Sequence, residues 1–260
     1  MDEYLDEVVK LLFDLSSVDR LTLLLIIRKE ENLRLTQLAE KIRATIQETS
    51  RHVGRLTEAK LIEKKSDGFY RLTSYGQLVL LLLSSFSLIS KTRDYFLSHD
   101  ISFLPQEFIE RIGELSVYEH AQNVSNVLRH IEQVMSLANE YVWLMADQAL
   151  VTGPSVAQAV GDRDLSVRIM ISKSGHIPEQ YQHIKTLLGN KLELKLLSDE
   201  NAKIAIAMNE KIAGVSFPDL KRKMDFDSGF MSSSIDFHKW CNDVFNFYWN
   251  RSKKPFLTGA

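Results

Sequence analysis

Gln47, Ser50, Arg51, His52 and Arg55 fall on one side of a helix predicted to begin near Ile46. Side chains of these types can hydrogen-bond base edges or phosphates, and the first of them sit on the N-terminal turns of that helix. Lys64, Lys65 and Arg71 flank an Asp67-Gly68 pair and offer a second group of cations to a sugar-phosphate backbone. Thr45 stands three residues before Glu48, the spacing of a capping box, and places one more hydroxyl at the helix tip. From Arg28 to Arg71 there are 11 Lys and Arg against 7 Asp and Glu, a local +4 within a chain whose formal charge is −2. An excess of this kind attracts phosphates without selecting a sequence.

These groups need a frame. Ile46, Thr49, Val53 and Leu56 recur at helical spacing and are expected to face a core, opposite the polar set. A preceding helix, from Thr36 to about Arg43, turns Leu38, Ala39 and Ile42 inwards, and the small Ala39 lets two short helices cross closely. Leu61-Ile62 starts a strand, Ser66-Asp67-Gly68 turns the chain, and Phe69 to Thr73 returns, because Gly accepts positive φ at a hairpin tip. Upstream, Glu3 to Asp14 reads as an amphipathic helix with Leu5, Val8, Val9, Leu12 and Phe13 as its stripe, and Val18 to Arg28 as a second helix. Downstream, Gln77 to about Ser98 reads as one Leu-rich helix with no Gly or Pro inside it. A helix apolar nearly all round must be covered, and a second copy of the chain is the expected cover.

Ser50-Arg51-His52-Val53, Leu56, Glu58-Ala59 and Leu61-Ile62 resemble the winged-helix core of bacterial and archaeal ArsR- and MarR-type regulators. The chain departs from that pattern at Lys60, where Gly is common, and lacks the cysteine pairs of metal-sensing members. The resemblance implies a winged helix-turn-helix that binds double-stranded DNA as a homodimer, contacting it through Thr45, Gln47, Ser50, Arg51, His52, Arg55, Lys64, Lys65 and Arg71. Dimer symmetry would favour an inverted repeat with half-sites one or two helical turns apart.

The second half has another rhythm. After HDISFLPQEFIERIGEL, with a helix starting past Pro105, a further helix is predicted from about Val124 to Asn139. Short runs follow at Tyr141 to Met145, Ser166 to Ile171, Leu192 to Leu197, Ala202 to Met208 and Ile212 to Phe217, with helical stretches near Ser155 to Val160 and Glu179 to Leu188. Strands separated by helices predict an α/β domain with a mixed sheet, and the last two strands predict a hairpin turning at Asn209-Glu210. A final helix, Ile235 to about Asn250, carries six aromatic residues at packing intervals. The expected organisation is a head over 1–76, a connecting and dimerising helix over 77–98, and an effector domain over 99–255.

HDISFLPQEFIERIGEL, the strands near Arg168 and Lys203, and WCNDVFNFYW resemble the effector domain of archaeal methanogenesis-type regulators, distantly similar to the sensor domain of archaeal TrmB regulators. The resemblance implies a phospholipase-D-like sandwich without its enzymatic motif and a small-molecule effector as a possible partner. Ligands of α/β sheets sit at carboxyl ends of strands, which points to Asp147 and Gln148 after one strand and Ser172 and Lys173 after the next. Arg168 either wants an anionic partner or lies on the solvent face by alternation, with Val167 and Ile169 inward. Trp143 either lines the same pocket or fills the core.

Catalysis is not expected. His-x-Lys occurs once, at His183 and Lys185, where phospholipase-type chemistry needs it twice. No Gly-x-Ser-x-Gly, phosphate loop or dinucleotide fingerprint occurs, and His and Cys do not cluster at metal-ligand spacing, so neither cofactor nor metal is predicted. The lone Cys241 excludes an internal disulfide, and the acidic MDEYLDEVV lacks a cationic leader, which together predict a cytoplasmic protein. The apolar runs at Leu21 to Ile27 and Leu78 to Leu83 are too short for the roughly 20 residues of a membrane span. A rival reading is an adaptor whose winged helix contacts transcription machinery in place of DNA.

Overall fold

The structure is a computed structural model that describes residues 2–30, 32–146, 163–172, 189–197 and 203–254. It divides into two units, Met1–Ser84 and Ser85–Ala260. The architecture is α+β, with a small hairpin in the first unit and a seven-stranded mixed sheet in the second.

In the first unit, helices α1 (Asp2–Leu15), α2 (Val18–Lys29), α3 (Leu35–Ile42) and α4 (Ile46–Glu58) precede strands β1 (Ile62–Lys64) and β2 (Tyr70–Leu72). Leu23, Leu24, Leu38, Leu56 and Leu61 are fully buried and form the centre of its core. Ala39 is buried where α3 meets α4. Arg20 is buried too, because its guanidinium donates to the carbonyls of Phe13 and Asp14 and so ties α2 to the last turn of α1. The predicted hairpin forms: Gly68 has φ +86°, and its N–H reaches the Lys65 carbonyl at 2.9 Å.

Two expectations change here. The stripe of α1 stays outside the core of the unit, with Val9 62% and Phe13 58% exposed, and the helix packs instead through Leu11 and Leu15. Ile46 also points outward, leaving Thr49, Val53 and Leu56 as the buried line of α4. It occupies the first helical position, before the helix reaches the core.

The close of α4 explains the unusual Lys60. The Leu61 N–H donates to the Leu56 carbonyl and the Lys60 N–H to the Thr57 carbonyl, the bonds of a Schellman end, which needs a left-handed residue between them. Lys60 takes that conformation at φ +61°, a site where a side chain costs about 1 kcal/mol. Thr73 then joins three elements. Its hydroxyl donates to the Lys60 carbonyl at 2.6 Å and accepts the Gly76 N–H at 2.9 Å, which starts helix α5 (Ser74–Lys91) three residues before Gln77. Gly76 lies so close to β1 that a Cβ there would sit 2.0 Å from the Leu61 carbonyl oxygen.

The second unit holds short helices α6 (Arg93–Phe96) and α7 (Gln106–Glu110), strand β3 (Glu119–Ala121) and helix α8 (Val124–Leu137). Strands β4 (Tyr141–Ala146), β5 (Ser166–Ser172), β6 (Leu192–Leu197), β7 (Ala205–Met208), β8 (Ala213–Ser216) and β9 (Gly229–Ser232) follow, then helix α9 (Ile235–Arg251). The sheet order is β3-β9-β8-β7-β4-β5-β6, with β4, β5 and β6 parallel and the other pairs antiparallel. One face packs on α8 through Ile131 and Val134, the other on α9 through Trp240 and Phe245. Double coverage explains why β5 is apolar on both sides. Asn209, fully buried, makes the β7–β8 turn: its side chain accepts the N–H groups of Lys211 and Ile212 and donates to the Val134 carbonyl at 2.7 Å.

The helix expected to run from Gln77 to Ser98 stops at Lys91. Thr92 is buried and turns its hydroxyl back to the Leu88 carbonyl at 2.7 Å, and the chain bends so that the Tyr95 ring meets Phe230 at 4.6 Å. Strands β3 and β9 were not expected from the sequence. They are three and four residues long and lack an alternating pattern. The helical stretches predicted at Ser155 to Val160 and Glu179 to Leu188 lie outside the described residues.

His130 on α8 is buried at 6% exposure, and its Nε2 has no hydrogen-bond partner among the described residues. It presses on β8, where a Cβ at Gly214 would lie 2.4 Å from that nitrogen. Burial pushes its pKa down to about 4, against a smaller opposing hydrogen bond with the Ala207 backbone. The unfolded chain takes up this proton near 6.5, so between about 6.5 and 4 the unfolded state binds more protons and stability falls as pH falls. His130→Gln is expected to remove about 3 kcal/mol of that acid sensitivity, read from urea unfolding at several pH values. Gly76→Ala is expected to lower stability by about 3 kcal/mol, since neither the Leu61 backbone nor α5 can yield; an unchanged urea midpoint would contradict the crowding.

Candidate nucleic-acid interface

The helix α4 begins as a capping box. The Thr45 hydroxyl donates to Glu48 Oε2 at 2.8 Å and accepts the Glu48 N–H at 3.2 Å, while the same carboxylate accepts the Thr45 N–H at 3.1 Å. These bonds, the side-chain one first, hold the Glu48 carboxyl below its ordinary pKa. The cap satisfies orphan N–H groups locally, so the first turn of α4 stands on its own polar anchors without needing cover.

The polar side predicted from sequence separates into two halves. Gln47, Ser50 and Arg51, on the first turns, are exposed. Among the described residues no side-chain hydrogen bond or salt bridge engages any of the three, though the Arg51 charge helps hold the Glu48 carboxyl below its ordinary pKa. His52 and Arg55, further along, are held. His52 Nε2 lies 3.5 Å from Asp19 on α2, and Arg55 Nε donates to Asp14 on α1 at 3.0 Å. The Phe13 ring covers the Arg55 guanidinium at 4.4 Å. Arg55, expected from the sequence as a DNA contact, is here a tether between α1 and α4. Within the second half sits Gly54, whose added Cβ would meet nothing within 4 Å among the described residues.

The hairpin carries its cations less freely than their sequence suggests. Lys64 lies over the Tyr70 ring at 5.8 Å, and Lys65 pairs with Glu63. Arg71 donates twice to Asn32 Oδ1, at 3.2 and 2.8 Å. Two further basic residues were missed. Arg34 stacks over Phe69 of the hairpin at 4.9 Å, and Arg43, left-handed at φ +55°, is exposed at the turn just before Thr45. Arg43 was findable, because a residue two places before the cap must lie beside the helix tip; Arg34 was not, since its partner is 35 residues away.

In the second unit, the proposed effector residues are brought together only in part. Trp143, Arg168 and Glu193 form one row across β4, β5 and β6. Arg168 donates to Glu193 Oε1 at 3.2 Å and lies over the rings of Trp143 at 5.0 Å and Trp249 at 5.3 Å. Arg168 has an anionic partner, but it is Glu193 of the neighbouring strand, while Val167 and Ile169 point inward as alternation expects. Trp143 stacks on Phe245 at 5.0 Å and belongs to the packing beneath α9. Ser172 ends β5 and is buried. Asp147, Gln148 and Lys173 lie outside the described residues. His99, prominent in the sequence, pairs with Asp225 at 2.9 Å and stacks on Tyr95.

Among the described residues no three His, Cys, Asp or Glu side chains gather as a metal site, and no helix is long and apolar enough to cross a membrane. No protein-family model and no curated protein matches the chain. Among solved structures it is similar to TrmBL2, an archaeal chromatin protein with a novel mode of DNA binding, at 13% identity and a TM-score of 0.44 over 89% of this chain and 92% of that one. It is similar to NucT from Helicobacter pylori at 12% identity and a TM-score of 0.41, over 54% of this chain and 100% of the other. An IclR homologue from Microbacterium hydrocarbonoxydans, complexed with 4-hydroxybenzoate, gives 8% identity and a TM-score of 0.25 over 90% and 99%. At these values no residue role passes from them to this chain.

Gly54 gives a direct test of the geometry. A mid-helix glycine with open space above it costs roughly 1 kcal/mol relative to alanine. Gly54→Ala is expected to raise stability by about that amount in urea unfolding. A loss of stability would mean that the face is covered.

Proposed function

We propose that this chain is a sequence-specific DNA-binding transcription regulator. The observation that carries the reading is the free first half of α4: Gln47, Ser50 and Arg51 exposed on a capped helix, with a basic hairpin following it. Gln and Arg side chains can each make two hydrogen bonds to one base in the major groove, and Ser can bond either kind of pair. The hairpin cations and Arg43 would hold the helix in place through phosphates. The likeness of Ser50-Arg51-His52-Val53 to ArsR- and MarR-type regulators points the same way.

The chain would act as a homodimer. Leu78, Leu81 and Leu82 on α5 are 55–60% exposed and, with Val9 and Leu12 of α1, leave apolar surface that a second copy would cover. The role we assign to the second unit is binding, not catalysis. The parallel strands β4 and β5 end side by side, the position at which α/β sheets take small molecules, and Asp147, Gln148 and Lys173 follow those ends. Such an effector would change how two heads meet an inverted repeat.

The test is binding to duplexes selected from a random library, measured at two salt concentrations. Arg51→Ala is expected to weaken the selected site by about 1–3 kcal/mol and relax preference at one base pair. Lys64→Ala is expected to weaken all duplexes alike and reduce the salt slope by about one. Salt-insensitive retention, or variants indistinguishable from the parent, would favour the adaptor reading.

A further inference from the structure

Ile46 is the first residue of α4 and remains 54% exposed, although an isoleucine gains most by burial. The core of the unit does not use it, since Thr49, Val53 and Leu56 are at most 2% exposed and complete the buried line. Helix formation does not ask for it either, because β-branched residues are weaker helix formers and the Thr45–Glu48 cap already starts the helix. At 3.6 residues per turn Ile46 lies about 40° round the helix from Ser50 and one position from Gln47. An aliphatic group therefore stands at the tip of the helix, beside the unpaired polar side chains.

In the major groove the base edges present donors, acceptors and one apolar group, the C5-methyl of thymine. We propose that Ile46 is a specificity-determining residue that packs against a thymine methyl beside the bases met by Gln47 and Ser50. The proposal rests on α4 being the groove helix and adds to it a preference for A·T at one position of each half-site. Gln47 and Ser50 can accept or donate to several bases, whereas an aliphatic contact discriminates by the presence of a single methyl group.

The experiment uses the full chain and the duplex selected above, with each thymine replaced in turn by deoxyuridine, which removes only that methyl. One thymine in each half-site should bind about fourfold more weakly as uracil, the effect of burying one carbon. Ile46→Ala should bind the thymine and uracil duplexes alike, and Ile46→Val should keep part of the difference. Because Ile46 is exposed, thermal unfolding of both variants should match the parent. Indifference of the parent to every uracil, or undiminished discrimination by Ile46→Ala, overturns the proposal and leaves the groove assignment standing. Failure to bind any DNA overturns both.

Discussion

The carbonyl groups of Lys60 and Leu61 hold the first unit in register. The Leu61 N–H closes α4 on Leu56, the Leu61 carbonyl accepts the Thr73 N–H at 3.1 Å from the returning strand, and Gly76 brings α5 against the same carbonyl. The Lys60 carbonyl accepts the hydroxyl that caps α5. Helix end, hairpin and following helix thus share two peptide units. The strain of a left-handed lysine is maintained because those bonds are possible only if the chain turns there. With that junction set, the direction of α4 relative to its hairpin has little freedom, and the polar residues of the first turns are presented on a rigid rod.

Local signals made most of this legible. The Thr45–Glu48 cap, Leu38 and Ala39 on α3, and Asp67-Gly68 at the hairpin each act within a few residues, so their chemistry could be read directly and appears in the structure as expected. What escaped depended on distant partners. The inward reading of Ile46 followed from helical period alone, which cannot tell where the core stops along the helix. The tethering of Arg55 depends on Asp14, 41 residues earlier, and periodicity carries no trace of it. Strands β3 and β9 pair across 110 residues and contain too few positions for alternation to show.

The second unit shows the same division. Runs of apolar residues at β4 and β5 announced buried strands, and both were found with parallel pairing. Alternation turned Val167 and Ile169 inward but could not place Arg168 beneath a helix, because alternation assumes one wet face and this sheet has helices on both. Its guanidinium is accommodated between two tryptophans and one glutamate, an arrangement that covers a cation's flat faces with rings and satisfies its edge with a carboxylate.

The clamp of Asp14 and Phe13 on Arg55 has a consequence for how such a head can change over generations. A cation on α4 is held by a single carboxylate on another helix. One neutralising substitution at that carboxylate would release a positive charge one turn from Arg51 without altering the exposed polar residues of the first turns. Under the proposed function, grip and selectivity are thereby adjustable from separate parts of the chain.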